Sequence, residues 1–135
     1  MPEPSRPRIL IVDDEELVLQ ALERQLHARF EVTTATGGKE ALRLVMSQGP
    51  YAVVVSDLRM PGMDGVTLLF LIRTAAPDTV RILLTGHTDM EAASAAVNEG
   101  KVFRFLLKPC PSGVLFRALE AAVEQYQSLQ LRNTL

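Results

Sequence analysis

A single cysteine, Cys110, leaves no internal disulfide framework and excludes a cysteine-rich zinc site. The two histidines, His27 and His87, lie far apart in sequence, which argues against a zinc enzyme. Neither sign of charge dominates: 14 Lys and Arg against 16 Asp and Glu give a net charge of −2. The basic footprint that nucleic acid or an anionic lipid surface attracts is therefore missing. The apolar runs are short and interrupted, far below what spans a bilayer. Residues 1–8, MPEPSRPR, carry three prolines and no apolar stretch, so residues 1–7 read as a flexible leader and not as a signal peptide. Together these absences point to a cytoplasmic protein with no membrane contact and no direct nucleic-acid binding by this chain.

What is present suits one globular domain. The 135 residues are 47% apolar and 22% charged, enough to build a hydrophobic core. Five short apolar runs stand out, at Ile9–Val12, Phe30–Thr34, Ala52–Val55, Val80–Leu84 and Val102–Leu107. The first, third and fourth are rich in β-branched residues and nearly continuous, the pattern of strands buried on both faces of a parallel sheet. The second alternates, which suits an edge. Helical spacings follow each run: Val18, Ala21, Leu22 and Leu26; Ala41, Leu42, Val45 and Met46; Val66, Leu69 and Ile72; Ala92, Ala93, Ala96 and Val97. A fifth helix starts near Ser112, with Val114, Leu115, Ala118, Leu119, Ala122 and Val123 on its buried face. Strand and helix alternate five times, which predicts one doubly wound parallel α/β sheet with helices on both faces.

In such sheets ligands sit outside the carboxyl ends of the strands. Asp13, Asp14, Glu15 and Glu16 follow the first strand, Asp57 the third, Thr85 and Gly86 the fourth, Lys108 and Pro109 the fifth. Clustered carboxylates need a cation, and oxygen ligands without His or thiolate favour Mg²⁺. A lysine and a hydroxyl beside the metal suit a phosphoryl group, and a carboxylate can itself be the nucleophile. Asp57, single and at the end of a central strand, is the natural acceptor. No Gly-rich loop follows the first strand, which disfavours nucleotide binding.

The strings ILIVDDEE (Ile9–Glu16), VVSDLRMPGMDG (Val54–Gly65), ILLTG (Ile82–Gly86) and FLLKP (Phe105–Pro109) resemble the receiver domain of bacterial two-component response regulators. The resemblance covers residues 8–126. It implies a flavodoxin-like strand order 2-1-3-4-5, Asp57 as phosphoacceptor, and Mg²⁺ held by Asp13, Asp14, Asp57 and the backbone carbonyl of Arg59. It further implies that Thr85 and Lys108 bind the phosphoryl oxygens, that Thr85 and Phe105 act as the switch, and that the bond before Pro109 is cis. Gly86 fits the small residue that such receivers need beside the phosphoryl group, and Arg59 and His87 occupy variable positions that tune its lifetime. The implied partners are a sensor histidine kinase or phosphotransferase and a downstream output domain or protein. The implied role is a switch with self-catalysed phosphorylation and dephosphorylation, not a turnover enzyme. The segment Asn98–Cys110 is similar to receivers joined to cyclic-di-GMP phosphodiesterase domains and to those of hydrogenase-synthesis regulators. Cys110 stands where an aromatic is frequent.

Plainer readings stand beside these. Taken alone, Asp13–Asp14 reads as a helix cap, Asp57 as a turn carboxylate before Pro61–Gly62, Lys108 as a surface lysine and Phe105 as core. A Mg²⁺-dependent phosphohydrolase is an alternative, although Arg59 stands where such enzymes carry a second aspartate. A phosphorylation-independent scaffold is another, although the acidic pair, the acceptor and the lysine are all present. Residues 127–135 read as a helical extension or linker. Leu115, Leu119, Ala122, Tyr126 and Leu129 form a heptad-like stripe, so the extension is expected to be ordered by another chain, with a homodimer through the fourth helix, fifth strand and fifth helix on phosphorylation.

Overall fold

Strands that are apolar on both faces need cover on both faces, and five helices supply it. The computed structural model describes residues 6–134. Strands β1 (Arg8–Val12), β2 (Glu31–Ala35), β3 (Val53–Asp57), β4 (Val80–Thr85) and β5 (Arg104–Leu107) form one parallel sheet in the order β2-β1-β3-β4-β5. The helices are α1 (Glu16–Leu26), α2 (Gly38–Gln48), α3 (Gly65–Ala75), α4 (Met90–Asn98) and α5 (Ser112–Thr134), with a 3-10 turn at His87–Asp89 leading into α4. This is the doubly wound arrangement and the strand order expected. No described helix is long and apolar enough to cross a membrane.

Successive side chains of a strand point to opposite faces, so each central strand feeds two cores. Ile9, Ile11, Val53, Val55, Ile82 and Leu84 pack with Leu19 and Leu26 of α1 and with Leu115, Leu119 and Ala122 of α5. Leu10, Val12, Val54 and Leu83 pack on the other face with residues of α2, α3 and α4, among them Ala41, Leu68, Ile72 and Ala93. Five helical assignments need correction. Met46, Ala92 and Val114 are exposed, and Leu19 and Leu68, absent from the expected stripes, are buried. A helix on a sheet buries a limited arc, and the sheet beneath it, not the spacing alone, decides which residues fall within that arc.

Strand ends shift as well. The second strand runs one residue later than Phe30–Thr34, because Phe30 closes the turn after α1, its N–H bonding the Leu26 carbonyl. The third reaches Asp57, paired in register with Leu84. The fifth begins only at Arg104, and the buried Val102 packs in the turn after α4 instead.

Of the leader expected over residues 1–7, residues 1–5 lie outside the described residues. Arg6 donates to the His27 carbonyl, and the Pro7 carbonyl accepts from Glu31. At the other end α5 continues unbroken through residue 126. Gln130 and Asn133 donate to Asp78 in the loop before β4, and Tyr126 packs against the core, so this chain itself holds the extension. Leu131 is left exposed.

Candidate functional site

Parallel strands deliver their carboxyl ends to one rim, and five of the expected residues meet there. Asp13 follows β1, Asp57 ends β3, Thr85 ends β4 and Lys108 follows β5. Carboxylate oxygens of Asp13, Asp14 and Asp57 lie within 4.8 Å of one another. Lys108 Nζ lies 2.7 Å from Asp57 Oδ1 and 3.6 Å from Asp13 Oδ2. Asp13 and Asp57 are buried, whereas Asp14 faces solvent.

The plain capping reading of the acidic pair does not hold. Glu15 is the residue that precedes α1, and it makes no side-chain bond to the helix. Asp13 Oδ1 instead accepts the Glu15 N–H at 2.9 Å, which turns the carboxylate back over the rim. Its Oδ2 is buried without a hydrogen-bond donor. Burial raises the Asp13 carboxyl above its ordinary value of 3.8; the Glu15 N–H and Lys108 oppose that, while Asp57 and Asp14 add to it. Burial works to lower the Lys108 ammonium, but its bond to Asp57 and the charges of Asp57 and Asp13 outweigh this and raise it. A buried, donor-less carboxylate oxygen facing two further carboxylates is a fitting ligand set for a hard divalent cation.

The third strand can end at this depth because Gly65 opens α3 directly behind it. A Cβ there would meet the Asp57 carbonyl oxygen at 2.2 Å. Asp64 caps the same helix by accepting the Thr67 N–H at 2.8 Å. Ser56 donates to the Asp57 carbonyl at 2.9 Å. Thr85 is buried, its hydroxyl donating to the Gly86 carbonyl at 3.3 Å. A Cβ on Gly86 would meet nothing within 4 Å, so the space over it is open.

Phe105 lies one strand across from Leu83 and packs, half-buried, against the core under α2, α3 and α4. The Lys108–Pro109 bond is cis, and so is Gly49–Pro50, which had no sequence expectation. His87 is exposed in the 3-10 turn, and Cys110 is half-buried beside α5. Arg59 reaches across to Asp89, a residue the sequence reading passed over: Nε donates to Oδ2 at 3.1 Å and Nη2 to Oδ1 at 2.5 Å. That bond holds the Asp89 carboxyl below its ordinary value and raises the Arg59 guanidinium. The available signal was an aspartate just before an Ala-rich helix, which reads as a cap.

The family model described as the response regulator receiver domain matches residues 9–120. The chain belongs to this family. The receiver is 40% identical over 122 residues to the hydrogenase transcriptional regulatory protein HoxA of Cupriavidus necator, covering 90% of this chain and 25% of that protein. It is 37% identical over 123 residues to the DNA-binding transcriptional regulator NtrC of Escherichia coli, covering 90% of this chain and 26% of that one. The chain thus spans about a quarter of the length of these curated relatives. Among solved structures it resembles one described as adenylate cyclase from Rhodopirellula baltica, with a TM-score of 0.93, 41% identity and 96% of each chain covered. It also resembles the signal receiver domain of an HD domain-containing protein from Pseudomonas fluorescens, with a TM-score of 0.87, 37% identity and 98% and 97% covered. Phosphorylation-dependent signalling is the family's standard function, and its members are phosphoacceptors.

Proposed function

We propose that Asp57 of this receiver accepts a phosphoryl group from a phosphohistidine on a sensor kinase or phosphotransferase, and that the product switches a downstream output. An Asp57 carboxylate oxygen attacks phosphorus, the P–N bond breaks, and the imidazole leaves and recovers a proton from water. The observation that carries this reading is the Lys108 ammonium 2.7 Å from Asp57 Oδ1, where oxygens of Asp57, Asp13 and Asp14 lie within 4.8 Å of one another. Asp13, Asp14, Asp57 and the Arg59 carbonyl would hold Mg²⁺, which supplies neutralisation of the negative charge brought in by the phosphoryl group. Lys108 and the Thr85 hydroxyl would hold phosphoryl oxygens, and the open space over Gly86 gives them room. Hydrolysis reverses the state: water attacks phosphorus, the P–O bond to Asp57 breaks and inorganic phosphate departs. Arg59 and His87 border that path and set its rate.

The added charge, about −1.5 to −2, would be read through Thr85 and Phe105 by the α4–β5–α5 face, which displays the exposed Met90, Phe103 and Val114. An output domain, an output protein or a second copy of the chain would dock there, in the cytoplasm. Intact mass after incubation with acetyl phosphate and MgCl₂ tests the reading. One phosphoryl adduct is expected, dependent on Mg²⁺ and lost in Asp57→Asn. An adduct of unchanged yield in that variant would place the acceptor elsewhere.

A further inference from the structure

Asp89 sits at the N-cap of α4, where an aspartate ordinarily accepts a bond from the helix's first amides. It makes no such bond. Both of its oxygens are taken by the Arg59 fork, at 3.1 and 2.5 Å, and its backbone, with φ −113° and ψ 16°, is not in the extended form typical of a capping residue. The pair bridges the loop after β3 to the turn after β4, the two segments that flank the proposed acceptor. Asp89 itself is buried, whereas the Arg59 side chain is 78% exposed and has open solvent to swing through.

We propose that Asp89 is a two-position switch: Arg59 holds its carboxylate while Asp57 is unmodified, and a phosphoryl group on Asp57 draws Arg59 away, so that Asp89 turns onto the first amides of α4. The proposal rests on the reading of Asp57 as phosphoacceptor. The physical basis is competition for one guanidinium. Its planar donor fork suits a carboxylate and a phosphoryl group alike, and the phosphoryl group carries the larger charge. Arg59 is two residues from Asp57, so the rival anion arises beside it. The released carboxylate is not stranded, because α4 begins with amides that lack a side-chain partner and with the positive end of its dipole. Two alternative partners for one carboxylate make the element bistable, and a modest pull moves the population. Asp89 is thus a positioning residue that carries the state of the site into α4 without passing through Phe105.

Amide exchange of Glu91 and Ala92, followed by NMR with and without beryllofluoride and MgCl₂, tests this, with the buried Leu10 amide reporting that each variant is folded. In the parent chain the two amides should slow at least about threefold when beryllofluoride is added, as the cap forms. Arg59→Gln frees Asp89 permanently, so its amides should be slow in both conditions. Asp89→Ala removes the cap, so they should be fast in both. The two partners of one ion pair therefore give opposite results. Equal acceleration in both variants would make the pair a plain structural tie and overturn the proposal. Parent amides that do not respond, in a chain that does form the Asp57 adduct by intact mass, would overturn the switch alone. A parent chain that forms no adduct would overturn the phosphoacceptor reading, and the switch with it.

Discussion

Replacing Gly65 with alanine puts one methyl group where α3 meets the end of β3. The new Cβ would stand 2.2 Å from the Asp57 carbonyl oxygen and 2.9 Å from Leu83 Cδ1. The first contact is about 1.2 Å short of ordinary separation, and its partner is backbone paired in the central sheet, which cannot turn aside as a side chain can. Forcing such a contact costs about 1–3 kcal/mol or more. Alanine returns up to about 1 kcal/mol by its better helix propensity, and less at a first helical position. The net loss is about 2 kcal/mol, or roughly 5–10 °C in Tm for a domain of this size. Gly113→Ala is the control, since its Cβ would meet only Arg117 Nη1, at 3.9 Å. Thermal unfolding by circular dichroism should show Gly65→Ala melting well below the parent and Gly113→Ala at or above it. Because the displaced atom belongs to Asp57, Gly65→Ala should also lose part of the rise in Tm that MgCl₂ gives the parent. A Gly65→Ala variant as stable as the parent would refute the claim that the acceptor's backbone is wedged against α3.

Asp13 couples the site to pH. The folded protein holds this carboxyl proton more tightly than the unfolded chain, so the protonated form contributes stability that is full below about pH 3.8 and lost as pH rises through the raised value. Asp13→Asn should therefore be more stable than the parent at neutral pH without divalent cation, with the difference shrinking as the medium is acidified. MgCl₂ should stabilise the parent by about 1.4 kcal/mol at tenfold excess over Kd and the variant by less; an equal gain in both would remove Asp13 from the ligand set. Leu119→Ala, fully buried between α5 and the sheet, should cost about 2–5 kcal/mol in urea denaturation. A loss well below that range would mean that the α5 face repacks freely.

The alternation of strand and helix was legible because each depends on a local period, two residues for a strand and 3.6 for a helix. Asp13, Asp14, Asp57, Thr85 and Lys108 were legible as well, since topology obliges parallel strands to deliver their ends to one rim. Helix faces were read less well. Met46 and Val114 match the spacing of a buried stripe yet face solvent, because the arc a helix buries is chosen by the sheet beneath it. The extension beyond Tyr126 has too few apolar residues to declare its own partner, and Gln130 and Asn133 reach Asp78 only once the loop before β4 has been brought beside α5.

The amino-acid order by itself determined the number, kind and sequence of elements and the chemistry carried at each strand end, since these follow from neighbours a few residues apart. Tertiary structure alone decided that Asp13 Oδ2 lies buried without a donor, that Gly65 presses on the Asp57 carbonyl, and that Arg59 binds an aspartate that would otherwise cap α4. Each of these joins groups from different elements. Their distance and burial are set by how the layers pack, a quantity that no local pattern encodes.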